Sequence, residues 1–492
     1  MAEKSSTRKD VIHLTIANAI ESGLRLLIPI FLVRIIDQAE FGEYRLFWLI
    51  ANTLTLVVPL GMSRSLLYFL PRSEPEERAI YVSQTILYLS VVTFPIAAIF
   101  TLTPGWMPEN IATLTEPAWV LGAFIYIWTV SSLILTLPNA DRNIVWQKWA
   151  IIGLSVARAA IILSVAVVTR DLQQIFNALL AFAGLQTILL FYYVARNYGL
   201  KMRRLSRSGM MRQLHYAVPF GLSGMLARAR GQIEQWIVAF MFLPGSLAIL
   251  SVAAGFNGIL RLLRKSVGSV LLPQMSSTHA AGDIKRSLEL NNRGNIAIGF
   301  VVFPSVAFIW TFAPALIELL YTADYLDAVP LVRIYSVTMI LMSVELATVL
   351  MIYEQGKFVA KVSGGILFAA AVLSYLGAVN FGLPGVAAGS VIGTFFNRLI
   401  NYNRAANLLN IPFSRLQDWG SLARLLAAAA LSGFAAHEIF SVFDVQFGPF
   451  FILLIGGAST GVFYLLLTVV FRVGWVMQCL LGRNPWPERT AI

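Results

Sequence analysis

Charge is what this chain lacks. Asp, Glu, Lys and Arg make up only 13% of its 492 residues, against about 25% in an average soluble domain. Cysteine occurs once, at Cys479, which excludes an intrachain disulfide framework. The histidines His13, His215, His279 and His437 stand isolated, with no zinc-type spacing among them or with Cys479, so no metal is expected. There is no phosphate-cradling P-loop, and no cofactor is called for. The longest connections expected on the outer side, about 104–116 and 314–327, offer only Glu109, Glu116, Glu318, Asp324 and Asp327 as ionisable side chains. A membrane-embedded enzyme of glycan assembly needs more than that, and the chain is expected not to be an enzyme.

What the chain has instead is apolar surface: 58% of its residues are hydrophobic and the mean hydropathy is +0.73. Stretches without an ionisable residue recur at 117–140, 172–195, 235–260, 294–317, 362–397 and 445–471. Each is long enough for a hydrocarbon core that takes about 20 residues to cross. Including segments with one or two charges, the expected spans are 12–36, 44–69, 80–103, 117–138, 147–169, 173–195, 215–241, 247–274, 292–313, 328–353, 358–380, 384–405, 420–443 and 449–471. The chain is therefore an all-α polytopic membrane protein of about fourteen helices. The first span contains Glu21 and Arg25 and lacks a small-residue cleavage pattern, so it reads as a retained helix rather than a signal peptide.

The basic residues orient these spans. With the N-terminus cytoplasmic, the inward segments hold 24 of the 37 Lys and Arg, and the outward loops hold only Arg170. The positive-inside bias then places both termini in the cytoplasm. The net charge of +12 is spread over eight cytoplasmic segments, which argues against a nucleic-acid partner. Its richest cluster (Arg196, Lys201, Arg203, Arg204, Arg207, Arg212) sets topology and meets anionic lipid heads. Trp106, Trp119, Trp146, Trp149, Trp419 and Trp475 sit where interfacial indoles anchor.

An internal repeat is visible. Residues 41–71 and 244–273 each open on a glycine turn (Gly42, Gly245), run as one hydrophobic span with late cations, and close at a proline (Pro71, Pro273). The expected organisation is a six-helix lobe (1–195), a basic cytoplasmic linker (196–214) and a second six-helix lobe (215–406), the lobes related by a pseudo-twofold. Two further helices (420–472) and a cytoplasmic tail (473–492) follow. Two lobes of even helix number insert the same way round, as in transporters whose halves rock about a central cavity.

Cations outnumber acids inside the expected spans, and an intramembrane cation demands a wet cavity or a partner. Arg25 and Arg228 lie near the middle of their spans and are the leading cavity candidates. Arg64, Arg264 and Lys265 suit either the cavity or snorkelling to the cytoplasmic heads; Arg261 shares a helix face with the latter two. Arg158, Arg333 and Arg398 are scattered, and Arg333 suits interfacial anchoring. Glu21, Glu234 and Glu345 are the candidate proton carriers, although Glu21 with Arg25, and Arg230 with Glu234, have the i, i+4 spacing of self-neutralising pairs. Gly385, Gly389 and Gly393 form a small-residue ridge suited to close helix packing. Pro29, Pro59, Pro95, Pro219 and Pro304 should bend their spans.

The segment EFGEYRLFWLIANTLTLVVPLGMSRSLLYFLPR (40–72) resembles the first hairpin of bacterial polysaccharide transporters of the O-antigen flippase type. These belong to the multidrug/oligosaccharidyl-lipid/polysaccharide exporter superfamily. Pro219 through Asp283, including LPQMSSTHAAGD (272–283), is similar to that family's seventh and eighth helices, and GLPGVAAGS (382–390) to its twelfth. The resemblance implies two lobes around a central cavity and flipping of a polyprenyl-pyrophosphate-linked oligosaccharide across the bacterial inner membrane. The pyrophosphate would meet cavity cations, and a polysaccharide polymerase and export machinery would be partners. Where the family usually has an acid early in the seventh span, this chain has RARGQIEQ (228–235). A peptidoglycan-precursor flippase and a cation-coupled drug exporter of the same superfamily remain the alternatives.

Overall fold

The computed structural model describes residues 2–103, 118–199, 205–229, 231–256, 258, 267, 271–272, 274–443 and 448–473. Every regular element among them is helical, as hydrocarbon requires of a chain whose backbone polar groups find no water there. Ten of these helices are long and apolar enough to cross a membrane, or eleven when the bent pair of α2 and α3 is counted as one span. The fold is that of a multi-pass, all-helical membrane protein. The chain forms two compact units, Met1–Ala248 and Ile249–Ile492; that division falls beyond the 196–214 linker at which the sequence pattern separates its lobes.

The first unit contains α1 (Ala2–Leu32), α2 (Gln38–Val57), α3 (Met62–Phe69), α4 (Pro75–Leu102), α5 (Ala118–Ser131) and the single turn α6 (Leu137–Ala140). They are followed by α7 (Ile144–Thr169), α8 (Leu172–Tyr198), α9 (Arg207–Ala229), α10 (Ile233–Met241) and the start of α11 (Pro244–Gly255). Helix α1 lies along α7, α4 along α5, and α8 against both α5 and α7. Helix α2 begins at a capping box: Asp37 Oδ1 accepts from the Glu40 amide at 2.8 Å, and Glu40 Oε2 accepts from the Asp37 amide at 3.1 Å. It ends where Pro59 withholds an amide, and the chain turns through Gly61 at φ 81° into α3, bent by 48° from α2. At that bend α9 comes into backbone contact: a Cβ on Gly221 would lie 2.2 Å from the Leu60 carbonyl carbon. At the other end of α2, the glycine turns of the apparent repeat meet, since a Cβ on Gly42 would lie 2.0 Å from the Pro244 oxygen.

The second unit contains α12 (Ile284–Leu320), α13 (Val329–Ser343), α14 (Ala347–Ile352), α15 (Gly356–Leu409), α16 (Trp419–Phe443) and α17 (Pro449–Val470). Helix α12 is its post, packed against α13, α16 and α17. Although α15 spans 54 residues, it is a hairpin that reverses at Gly382, whose φ of 64° favours glycine. The expected glycine ridge closes it. A Cβ on Gly385 would lie 2.0 Å from the Gly377 oxygen, one on Gly389 2.5 Å from the Ser374 nitrogen, and one on Gly393 3.0 Å from the Ala370 Cβ.

Arg333 has a more specific role than interfacial anchoring. Pro314 has no amide to give the Trp310 carbonyl four residues earlier, and α12 loses helical geometry at Phe312. Arg333 Nε donates to that orphaned Trp310 oxygen at 3.1 Å. Of the expected indole anchors, Trp119 and Trp149 are exposed, Trp146 packs on Tyr193, and Trp106 and Trp475 lie outside the described residues.

Two stability measurements in detergent check this packing. Gly389→Leu should lower the melting midpoint sharply, whereas Gly364→Leu, with open space at its Cβ, should not. Arg333→Ala should cost about 1.5–3 kcal/mol, the net worth of a hydrogen bond from a charged donor. That cost should shrink in a Pro314→Ala background, where an amide returns to position 314.

Candidate functional site

One face of each of three helices in the first unit borders a common cavity of about 430 Å³. On α1 the face is Asn18, Glu21, Arg25, Ile28 and Pro29; on α2 it is Tyr44, Arg45, Trp48, Leu49 and Asn52. On α7 it is Gln147, Ile151, Leu154, Ser155 and Arg158. Steps of three and four residues, with an adjacent residue here and there, keep each set on one side of its helix. Trp128 of α5, Phe182 and Gln186 of α8, and Gln235 of α10 complete the wall.

The wall is held by bonds to a backbone that has left α-helical geometry. After α5 the chain passes through a 3-10 turn, Ser132–Leu135. Gln147 Nε2 donates to the Leu135 oxygen at 2.7 Å, and Gln186 Nε2 donates to the Ser131 oxygen at 3.2 Å. Behind it, Phe47 stacks on Phe176 at 4.6 Å and lies 4.9 Å from Phe124, so aromatic packing ties α2 to both α8 and α5.

Three guanidinium groups, from Arg25, Arg45 and Arg158, face one carboxylate, Glu21. The lining therefore carries a formal excess of two positive charges. Glu21 does little to cancel it: its Oε1 is 4.0 Å from Arg25 Nη1, and the Arg25 side chain is 65% exposed. An exposed helix pair of this kind contributes about 0.3–0.5 kcal/mol. Arg158 Nε and Gln147 Oε1 are buried with no hydrogen-bond partner among the described residues. A donor and an acceptor left open in a polar cavity call for water or a polar ligand. The arrangement suits an anion with several oxygens, which guanidinium forks bind in paired, charge-assisted hydrogen bonds.

Of the residues expected at the site, Arg25 and Glu21 line this cavity. Arg64 and Arg228 do not. Arg64 is exposed on α3 with its Nη1 3.7 Å from where a Cβ on Gly224 would stand; Arg228 is exposed in the last turn of α9. Glu234 lies in the first turn of α10. Glu345 belongs to the second unit, where its Oε1 accepts from Arg398 Nη1 at 3.1 Å. Arg261, Arg264 and Lys265 lie outside the described residues. Arg45 and Arg158, absent from the expected set, complete the cationic wall. The signal for them is helical spacing: Arg158 stands 11 residues after Gln147 and Arg45 seven before Asn52, each a polar stripe through an apolar span.

Residues 7–279, more than half the chain, match the family described as "Polysaccharide biosynthesis protein". Among solved structures, the lipid II flippase MurJ in an inward closed conformation matches with a TM-score of 0.70 at 15% identity, over 96% of this chain and 100% of that one. An inward-facing multidrug resistance MATE family transporter of the MOP superfamily matches at 0.58 and 13% identity, over 82% and 98%. A mutant of the Vibrio cholerae MATE transporter VcmN matches at 0.51 and 15%, over 85% and 99%. No curated protein matches the chain in sequence. At these identities the likeness is one of fold, and the fold is a transporter fold.

Single cysteines placed in a Cys479→Ser background test whether the cavity is wet, because a charged thiol reagent needs a hydrated thiolate. Asn18→Cys and Asn52→Cys, on the cavity wall, should label. Their neighbours Ala17→Cys and Ala51→Cys, at positions 0% exposed, should not.

Proposed function

From the premise that the chain belongs to the polysaccharide biosynthesis protein family, we propose that it flips a polyprenyl-pyrophosphate-linked oligosaccharide across the bacterial inner membrane. The movement is from the cytoplasmic to the outer leaflet, by alternating access, in the making of cell-surface polysaccharide. The observation that carries this reading is the positive excess of the first unit's cavity, three arginines against one glutamate. A pyrophosphate diester presents two negative charges on adjacent phosphoryl groups. Arginine forks match phosphate oxygens in geometry as well as charge, and a site of about 430 Å³ falls in the range of roughly 300–1,000 Å³ that takes one small ligand or headgroup.

In this mechanism Arg25, Arg45 and Arg158 receive the pyrophosphate, with Arg158 Nε gaining the partner it lacks. The glycan stays in water and the prenyl tail in lipid. The two-lobe organisation, 1–195 and 215–406 with both termini cytoplasmic, belongs to the same proposal. Glu21 is the acid in the cavity and the proton carrier we assign first: protonated, it raises the formal excess from two to three, favouring the anion; ionised, it favours release. Glu345 is already engaged by Arg398. The same cavity weighs against a cation-coupled drug exporter, whose substrate and coupling ion would both want carboxylates. A peptidoglycan-precursor flippase would present the same pyrophosphate, so the two readings part at the glycan.

Leaflet translocation in proteoliposomes, with a prenyl-pyrophosphate-linked oligosaccharide, tests both function and site. Arg25→Ala and Arg158→Ala should each slow translocation roughly tenfold or more, the loss expected for one charge-assisted hydrogen-bonding fork. Wild-type activity that survives both changes would keep the function and sink the site. No translocation by wild type, alongside efflux of a cationic dye, would move the protein to the exporter branch. Glu21→Gln should remove dependence on a pH gradient, and dependence that persists would free Glu21 of the coupling role.

A further inference from the structure

The second unit carries a polar cleft that the transport reading does not use. It occupies about 650 Å³ where α12 begins and the connection from α15 to α16 passes over it. Its two acids are both engaged. Glu289 pairs with Arg293 one turn along α12, and Asp418 Oδ1 caps α16 by accepting from the Ser421 amide at 2.9 Å. Its two other cations, Lys285 and Arg415, are exposed, and neither has an ion-pair partner among the described residues. Asn292 Oδ1, in the same wall, is buried with no hydrogen-bond partner among the described residues. The cleft lining thus carries a formal excess of one positive charge, three cations against two carboxylates, and one spare acceptor beside the apolar side chains of Leu288, Ile296 and Ile411.

The segment bearing Arg415 is rigid. Phe413 stacks on Trp419 with ring centroids 5.4 Å apart, and Trp419 Nε1 donates to the Phe413 oxygen at 3.3 Å. Phe413 itself is exposed. An exposed Phe and an indole beside unpaired cations, at the end of a bundle of spans, mark the depth of lipid headgroups.

We propose that this cleft binds the headgroup of an anionic phospholipid. The phosphate sits between Lys285 and Arg415, a headgroup hydroxyl donates to Asn292 Oδ1, and the first methylenes of the acyl chain lie against Leu288, Ile296 and Ile411. Basic pockets between spans select such lipids because the cations face a full negative charge. A zwitterionic lipid brings an ammonium to the same two cations and is disfavoured. The site is independent of the transported substrate, and its failure would leave the flippase reading untouched.

Native mass spectrometry of the full chain, stripped of lipid in detergent and titrated with phosphatidylglycerol, reads the occupancy. Wild type should hold one phosphatidylglycerol in preference to phosphatidylethanolamine. Lys285→Ala combined with Arg415→Ala should weaken binding roughly tenfold or more. Lys357→Ala combined with Lys361→Ala, two exposed cations in the first turns of α15, should leave it unchanged. Asn292→Leu should weaken binding of phosphatidylglycerol more than that of phosphatidylmethanol, which has the same charge and no headgroup hydroxyl. Equal binding by wild type and the Lys285/Arg415 variant, at matched melting midpoints, overturns the proposal. Displacement of the lipid by equimolar inorganic phosphate also overturns it, by making the cleft a site for the free anion.

Discussion

A backbone carbonyl in hydrocarbon has no water to turn to, and at two breaks in the helices of the second unit particular side chains supply its bond. Pro314 orphans the Trp310 oxygen, and Arg333 reaches across from α13 to bond it. Between α13 and α14 the helix opens at Glu345, whose oxygen accepts from Asn291 Nδ2 at 3.0 Å and Asn295 Nδ2 at 3.1 Å. Asn295 in turn donates to Gln417 Oε1 at 2.8 Å, tying the opening to the root of α16. The polar residues of the second unit are thus largely structural, spent on irregular backbone.

The first unit uses its polar residues differently. Gln147 and Gln186 of the cavity wall bond to backbone at the 3-10 turn after α5, while Arg158 Nε has no hydrogen-bond partner among the described residues. Elsewhere in the unit the polar groups close on one another. Gln213 Nε2 donates to Ser65 Oγ and to Thr85 Oγ1, both at 2.8 Å, and the Tyr193 hydroxyl donates to Asp141 Oδ2 at 2.7 Å.

Most of the fold was legible because span length and the glycine ridge are local properties. Charge-free windows pointed to α5, α8 and α17, and the Gly385, Gly389, Gly393 spacing led to the hairpin. The bond made by Arg333 was not legible because its partner is a carbonyl freed by Pro314, a vacancy that depends on tertiary approach. At the cavity, Arg25 and Glu21 could be found by depth along one helix. Arg228 was equally deep by that measure, and Arg64 less so, yet neither lines the cavity, since depth says nothing about azimuth. Arg45 and Arg158 needed the azimuth as well, which only polar spacing along α2 and α7 encodes.

The crossing of α9 over the bend between α2 and α3 has a consequence of its own. Gly61 and Gly221 meet there with no side chain between them, the backbones closer than any Cβ would permit. Interlocked side chains act like gear teeth, and turning one helix against the other means lifting every tooth from its socket. Two bare backbones make a bearing. Tilting α9 there disturbs no rotamer, so the resistance to such a tilt comes from the flanking contacts, among them the stacked rings of Tyr68 and Tyr216. A side chain as small as alanine at either glycine would turn the bearing into a wedge.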